Sequence, residues 1–191
     1  LIADEMKDLG AENVISENGR VLFSGDEYLL ARANICSRYA ERIQILVGSF
    51  DALSFEDLFQ FIRNLPWEKY LPKDARFPVS GKCARSQLMS VRDCQAISKK
   101  AIVQRLMQKL RTDRLPETGV VYPIDVAIVN DLARVTLDLS GDALNRRGYR
   151  TWNGEAPLRE TLAAALVDLS PWRKGMQLYD PCCGTGTLLI E

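Results

Sequence analysis

The stretch that most limits the possible folds is residues 176–179 running into Asp180-Pro181-Cys182-Cys183-Gly184-Thr185-Gly186-Thr187 and then Leu188-Leu189-Ile190. A short apolar strand ending in an acid, a small-residue loop and the start of an apolar helix form the first turn of an open α/β sheet. In such sheets ligands lie at the carboxyl ends of strands, beside this kind of loop. Gly184 and Gly186 let the backbone approach a ligand with no Cβ in the way. Asp180 is placed to anchor a cationic or hydroxyl-bearing group. No lysine follows the glycines, so this is not a phosphate-cradling P-loop, and a full G-x-G-x-x-G is absent. Taken alone, the two glycines fit an ordinary strand-to-helix turn equally well.

The rest of the chain alternates helices and strands. Apolar spacing at Ile2, Met6 and Leu9 predicts a helix over 2–9, ended by Gly10. Short strands over 13–16 and 20–23 flank the turn Glu17-Asn18-Gly19. Asp26 opens a helix to about 37, and 42–50 reads as a strand. Ser54 caps a helix carrying Phe55, Leu58, Phe59 and Ile62, with Asp57 as its capping-box acid. Prolines 66, 72 and 78 mark an irregular stretch around Trp67 and Tyr70, and 77–84 reads as a strand. Ser90 caps a long helix to about 110, its apolar face formed by Ile97, Ala101, Ile102, Leu106 and Leu110. Strands over 124–129 and 132–139 form a hairpin about Asn130-Asp131. The second of them alternates apolar and polar residues, so one face is buried and the other wet. A helix over 157–169 starts with Pro157 near its first position.

Composition narrows the function classes. Cys36, Cys83, Cys94, Cys182 and Cys183 contain no C-x-x-C pair, and the chain has no histidine. No metal site is therefore expected, nor histidine-based nucleophilic catalysis. The cysteines read as reduced thiols in a cytoplasmic protein. No apolar run has bilayer-spanning length and no leader opens the chain, so no membrane partner is expected. The chain begins at Leu1 and stops at Glu191, each inside an expected helix, and is taken as part of a longer protein. Its zero net charge is uneven. Residues 1–30 hold seven acids against Lys7 and Arg20, and residues 81–114 hold nine bases against Asp93 and Asp113. That basic middle suggests a local polyanion-binding face.

The loop at 180–187 with Leu188-Leu189-Ile190-Glu191 resembles the first motif of Rossmann-like methyltransferases that act on RNA guanine N2. Leu144 to Arg150 and Ala156-Pro157-Leu158-Arg159-Glu160-Thr161-Leu162 resemble the linker and first helix of bacterial large-subunit rRNA guanine-N2 methyltransferases. Gly81-Lys82-Cys83 through Ser90 to Lys99-Lys100-Ala101-Ile102-Val103 resembles their THUMP domain. The resemblance covers nearly the whole chain. It implies an α+β chain: a ferredoxin-like unit lacking its first strand (1–50), a THUMP RNA-binding domain (51–143), and a linker and first helix (144–170). The first elements of an α/β Rossmann-like methyltransferase domain would follow (171–191). It implies S-adenosylmethionine as cofactor, held by Asp180, Pro181, Cys182, Gly184, Thr185, Gly186 and Thr187. The family's catalytic Asn- or Asp-Pro-Pro-aromatic motif is absent from these residues, so no catalytic residue is named and the chain alone is expected to be inactive.

The resemblance also implies RNA as partner, rRNA first and tRNA as the alternative. Lysine and arginine meet backbone phosphates, so Lys82, Arg85, Arg92, Lys99 and Lys100 are candidate contacts, with a solvated helix face as the plainer reading. Arg146, Arg147 and Arg150 flank Gly148 in the connector, where they either meet RNA or form salt bridges. Packing is the role expected of Trp67, Tyr70 and Trp152, with base stacking as the alternative. Cys182 and Cys183 read as small loop-fillers, since no base stands near to activate a thiol. Two other classes compete with the enzyme: an RNA-binding module without catalysis, and a THUMP-bearing thiolation enzyme. The glycine loop speaks against the latter, because an ATP-using protein would show a different phosphate loop.

Overall fold

The structure, a computed structural model, describes residues 1–150 and 157–191. Trp152 and Ala156 lie outside the described residues. The chain forms two compact units, Leu1–Ile43 with Ser140–Glu191, and Gln44–Leu139.

The second unit is built on a four-stranded sheet. β3 (Gln44–Asp51), β4 (Val79–Ala84), β5 (Ile124–Val129) and β6 (Leu132–Asp138) lie in the order β3-β6-β5-β4, all neighbours antiparallel except β4 and β5. The parallel pair needs a crossover, and α4 (Val91–Leu110) supplies it. α3 (Phe55–Asn64) joins α4 over the sheet. Ser54 closes a capping box with Asp57, and the Ser90 hydroxyl accepts from the Asp93 amide, so the helix starts read from sequence hold. Ile102 and Leu106 of α4 pack with Leu58 and Ile62 of α3 onto Ile124, Val126, Val135 and Leu137 of the sheet.

The strand expected at the end of the first unit belongs here. β3 pairs with β6 from Gln44 opposite Asp138 to Asp51 opposite Leu132. Ile45, Val47 and Phe50 pack on this core, and that burial carries the strand away from the ferredoxin-like unit. Residues 140–143, expected with the THUMP part, instead join the first unit: the Ile43 amide donates to the Ser140 hydroxyl at 2.7 Å.

Between α3 and α4 a short 3-10 helix (Trp67–Lys69) is tied down by Glu68. Its carboxylate accepts from Arg105 Nε at 3.0 Å and Nη2 at 2.7 Å. The hydrogen bond from Arg105 holds Glu68 down to about 2, against the opposing effect of burial. A carboxylate with a depressed pKa stabilises the fold fully above its ordinary value and loses that contribution as pH falls toward the folded value. The pair is partly solvated, so the contribution is within about 1 kcal/mol. Glu68→Gln is therefore expected to lower the urea midpoint modestly near neutrality, with the gap to the parent closing between about pH 5 and about pH 2. A gap that stays constant with pH would refute this ion-pair account.

In the first unit, α1 (Ile2–Asp8) and α2 (Glu27–Cys36) accompany the hairpin of β1 (Glu12–Glu17) and β2 (Arg20–Ser24). Met6, Ala33, Ala40 and Ile43 are buried together, with Phe23 and Leu144 against them. Asp26 caps α2 by accepting from the Leu29 amide at 2.7 Å. Glu5 closes the other end, accepting from the Ser37 hydroxyl and the Arg38 amide, each at 2.6 Å. α5 (Glu160–Leu169) begins three residues later than expected, and α6 (Thr187–Ile190) is a single turn. The strand expected over 176–179 is not formed: the stretch has no strand partner among the described residues, and Met176, Leu178 and Tyr179 are exposed. A strand is stable only beside neighbours. No described helix is long and apolar enough to cross a membrane.

Candidate functional site

The glycine loop adopts a defined turn. The Cys182 amide donates to Asp180 Oδ1 at 3.1 Å, and the Gly186 amide to the Cys183 carbonyl at 2.7 Å. Gly184 (φ 53°) and Gly186 (φ 75°) both take the left-handed conformation that side chains resist. Around Gly186 nothing lies within 4 Å of where a Cβ would stand, so the turn opens onto free space. Pro181, Cys182, Cys183 and Gly184 are exposed, Asp180 and Thr185 half-buried, and Thr187 buried. The loop thus offers backbone and small side chains to a ligand, with Asp180 Oδ1 fixed within the turn.

The connector reaches both ends of this segment. Arg150 donates from Nη1 to Thr185 Oγ1 at 2.9 Å and from Nη2 to Thr187 Oγ1 at 3.0 Å. Its Nε meets Glu160 Oε1 at 3.0 Å. Burial would push the Glu160 carboxyl up, but its own backbone hydrogen bond and the Arg150 guanidinium outweigh this and hold it below the usual range. Arg147, an expected RNA contact, instead donates to Glu191 Oε2 and to the Arg38 carbonyl, both at 2.5 Å. Tyr149 donates to Glu191 Oε1 at 2.9 Å, and burial, with Glu191 beside it, pushes the phenol up to about 12. Arg146 is exposed, 3.9 Å from Asp142. Of the two roles open to these arginines, ion pairing describes Arg147 and Arg150.

The basic residues of the second unit divide. Lys99 turns inward: its ammonium donates to the Phe77 carbonyl at 2.9 Å and to Glu117 at 2.8 Å, and lies 3.5 Å from the Phe77 ring centroid. These contacts hold α4 to the loops before β4 and β5, which corrects its expected place among the outward bases. Lys82, Arg85, Arg92 and Lys100 are exposed. Cys83, beside Lys82, faces α4, its sulfur 3.7 Å from that of Cys94, so alternation puts Lys82 on the other face of the sheet. Lys82 near the end of β4, Arg85 just past it and Arg92 in the first turn of α4 share one end of the unit, while Lys100 lies further along the helix. Among the described residues no group of three or more metal-capable side chains gathers.

Residues 1–44 match the family model of the RlmL ferredoxin-like domain, and residues 52–138 that of the THUMP domain. Residues 147–191 match the RMKL-like methyltransferase domain. The chain belongs to the THUMP-containing methyltransferase family. The chain is 45% identical over 195 residues to “Putative RNA methyltransferase YpsC” of Bacillus subtilis (strain 168), covering 100% of the chain and 50% of that protein. It is 49% identical to a structure described as “a predicted N6-adenine-specific DNA methylase from Listeria monocytogenes str. 4b F2365”, with a TM-score of 0.94 over 99% of this chain and 50% of that one. A third relative, “SMU.472, a putative methyltransferase complexed with SAH”, is 42% identical with a TM-score of 0.91, over 99% of this chain and 50% of that one. The chain thus spans about half the length of the relatives it matches. The loop over 180–187 was visible from its glycines; the Arg150 fork and the Glu191 anchor were not, because their partners stand far apart in sequence.

Proposed function

We propose that the chain is the RNA-engaging part and the first cofactor-binding motif of an S-adenosylmethionine-dependent RNA methyltransferase. In this reading it acts in the cytoplasm on guanine N2 of large-subunit rRNA. The observation that carries the reading is the open turn at 180–187, in one chain with a THUMP domain. The residues fit the cofactor: two left-handed glycines leave room at the turn, Asp180 supplies a carboxylate for a cationic group, and Thr185 supplies a hydroxyl. A relative with SAH, the demethylated form of the same cofactor, supports this assignment.

When bound, S-adenosylmethionine supplies an electrophilic methyl group. In this reading Asp180, Pro181, Cys182, Gly184, Thr185, Gly186 and Thr187 bind and orient it, and the exposed bases of the THUMP unit hold RNA phosphates so that the target base is presented in register. A base inside a helix would have to leave its stack to be reached. The THUMP domain and the name of YpsC favour RNA over the DNA adenine in the Listeria protein's description.

The test uses the full-length protein with labelled S-adenosylmethionine and separate pools of unmodified large-subunit rRNA, tRNA and DNA, with the labelled nucleoside identified by mass spectrometry. N2-methylguanosine in rRNA is expected. The same nucleoside in tRNA keeps the chemistry and overturns the substrate, and label on adenine overturns the acceptor. A folded protein that labels nothing while binding RNA favours the binding module.

A further inference from the structure

We infer that Arg150 is a positioning residue for the cofactor loop, holding the Thr185 hydroxyl as a donor toward the ligand. The inference rests on reading the turn at 180–187 as the cofactor cradle.

The geometry is specific to a guanidinium. Each of the three nitrogens of Arg150 has a partner: Nε has Glu160 Oε1 at 3.0 Å, Nη1 has Thr185 Oγ1 at 2.9 Å, and Nη2 has Thr187 Oγ1 at 3.0 Å and the Leu158 carbonyl at 3.3 Å. Glu160 compensates the charge, and both side chains are largely buried. This arginine is thus committed inward, unlike an exposed base that meets phosphate.

The consequence falls on the two hydroxyls. An arginine has no acceptor, so both threonine oxygens receive hydrogen bonds from it. Each hydroxyl then has one proton left to donate. The oxygens lie 3.1 Å apart and either hydroxyl can be the donor; in the inferred arrangement the buried Thr187 gives its proton to Thr185. Thr185 then accepts from both Arg150 and Thr187, and its own proton points to the half-exposed side of the turn. Thr185 sits between the two left-handed glycines, Gly184 and Gly186. A fixed donor there suits an acceptor such as the carboxylate of an amino-acid-like cofactor. Lysine, a compact point charge, cannot span Glu160 and both threonines.

The experiment measures SAH affinity by calorimetry on the full-length protein, together with RNA affinity and thermal unfolding. Arg150→Lys is expected to weaken SAH at least about tenfold through lost preorganisation, with RNA affinity unchanged. Thr185→Val is expected to weaken SAH similarly, Thr185→Ser to restore it, and the double variant to be no worse than Thr185→Val alone. If Arg150→Lys unfolds, Thr185→Val and Thr185→Ser carry the test. Failure of the parent protein to bind SAH would sink the cofactor reading itself. A parent that binds, with Arg150→Lys or Thr185→Val binding equally well, would overturn the inference alone. So would equal losses of SAH and RNA affinity in Arg150→Lys.

Discussion

Trp67→Ala is expected to destabilise the chain by about 3–5 kcal/mol, the cost of removing a large buried aromatic. The Trp67 side chain is fully buried, packed with Leu58, Ile62, Leu71 and Leu106, and its Nε1 donates to the Ile62 carbonyl at 2.7 Å. Small domains hold about 5–15 kcal/mol in total, so the variant should unfold at much lower urea. Trp67→Phe separates the components. It keeps most of the volume, and the Ile62 carbonyl still accepts from the Leu65 amide at 3.3 Å, so only about 1 kcal/mol should be lost. Urea titration followed by far-UV circular dichroism reads both. An alanine variant that unfolds at the parent midpoint would remove Trp67 from the core. The alternative role, stacking on a base, predicts that Trp67→Phe weakens RNA binding; a core residue predicts no change.

Elements carried by local chemistry were legible in the sequence. Asp26, Ser54 and Ser90 each cap the helix they announce, and Ala101, Ile102 and Leu106 are buried as the period requires. Features set by distant partners were not. The strand over 42–50 was visible as a strand, but nothing local says which sheet takes it. The answer lies in β6, some ninety residues on, where Val135 stands opposite Gly48. The stretch 176–179 has strand composition, yet composition cannot supply a neighbouring strand.

The candidate site shows the same division. Two glycines flanking Thr185 announced a ligand loop, and both take positive φ. The arginines of the connector were seen, but sequence alone left phosphate contact and ion pairing open, because Glu160, Thr185 and Glu191 stand ten to forty-odd residues away. Lys99 carried a readable signal that charge counting hid. It precedes Ile102 by three residues and Leu106 by seven, the spacing of the buried face. A lysine in that phase buries its stem and finds a local acceptor, here the Phe77 carbonyl and Glu117.

That distinction shapes the prediction for RNA. The combined replacement of Lys82, Arg85 and Arg92 by alanine in the full-length protein is expected to weaken RNA binding by about two orders of magnitude at physiological salt. The magnitude follows from counterion release: each phosphate contact adds roughly 0.7–0.9 to the slope of log K against log salt. Three contacts therefore add a little over two to the slope, which over the interval from ~1 M to ~0.15 M salt is worth about a hundredfold. The slope itself should fall by about two, a signature that loss of folding does not produce. Lys109 and Arg111, exposed at the opposite end of α4, provide the control. Their replacement should leave affinity within a few-fold of the parent if RNA follows the end of the unit that holds Arg85. Equal losses from both sets would mean diffuse attraction with no preferred end of the unit. Lys99→Ala is expected to differ from either, leaving the salt slope unchanged and lowering the unfolding midpoint, because its charge is already met by Glu117 at 2.8 Å and the Phe77 carbonyl at 2.9 Å. If Lys99→Ala reduces the slope while stability holds, the inward placement of that lysine does not describe how the protein meets RNA.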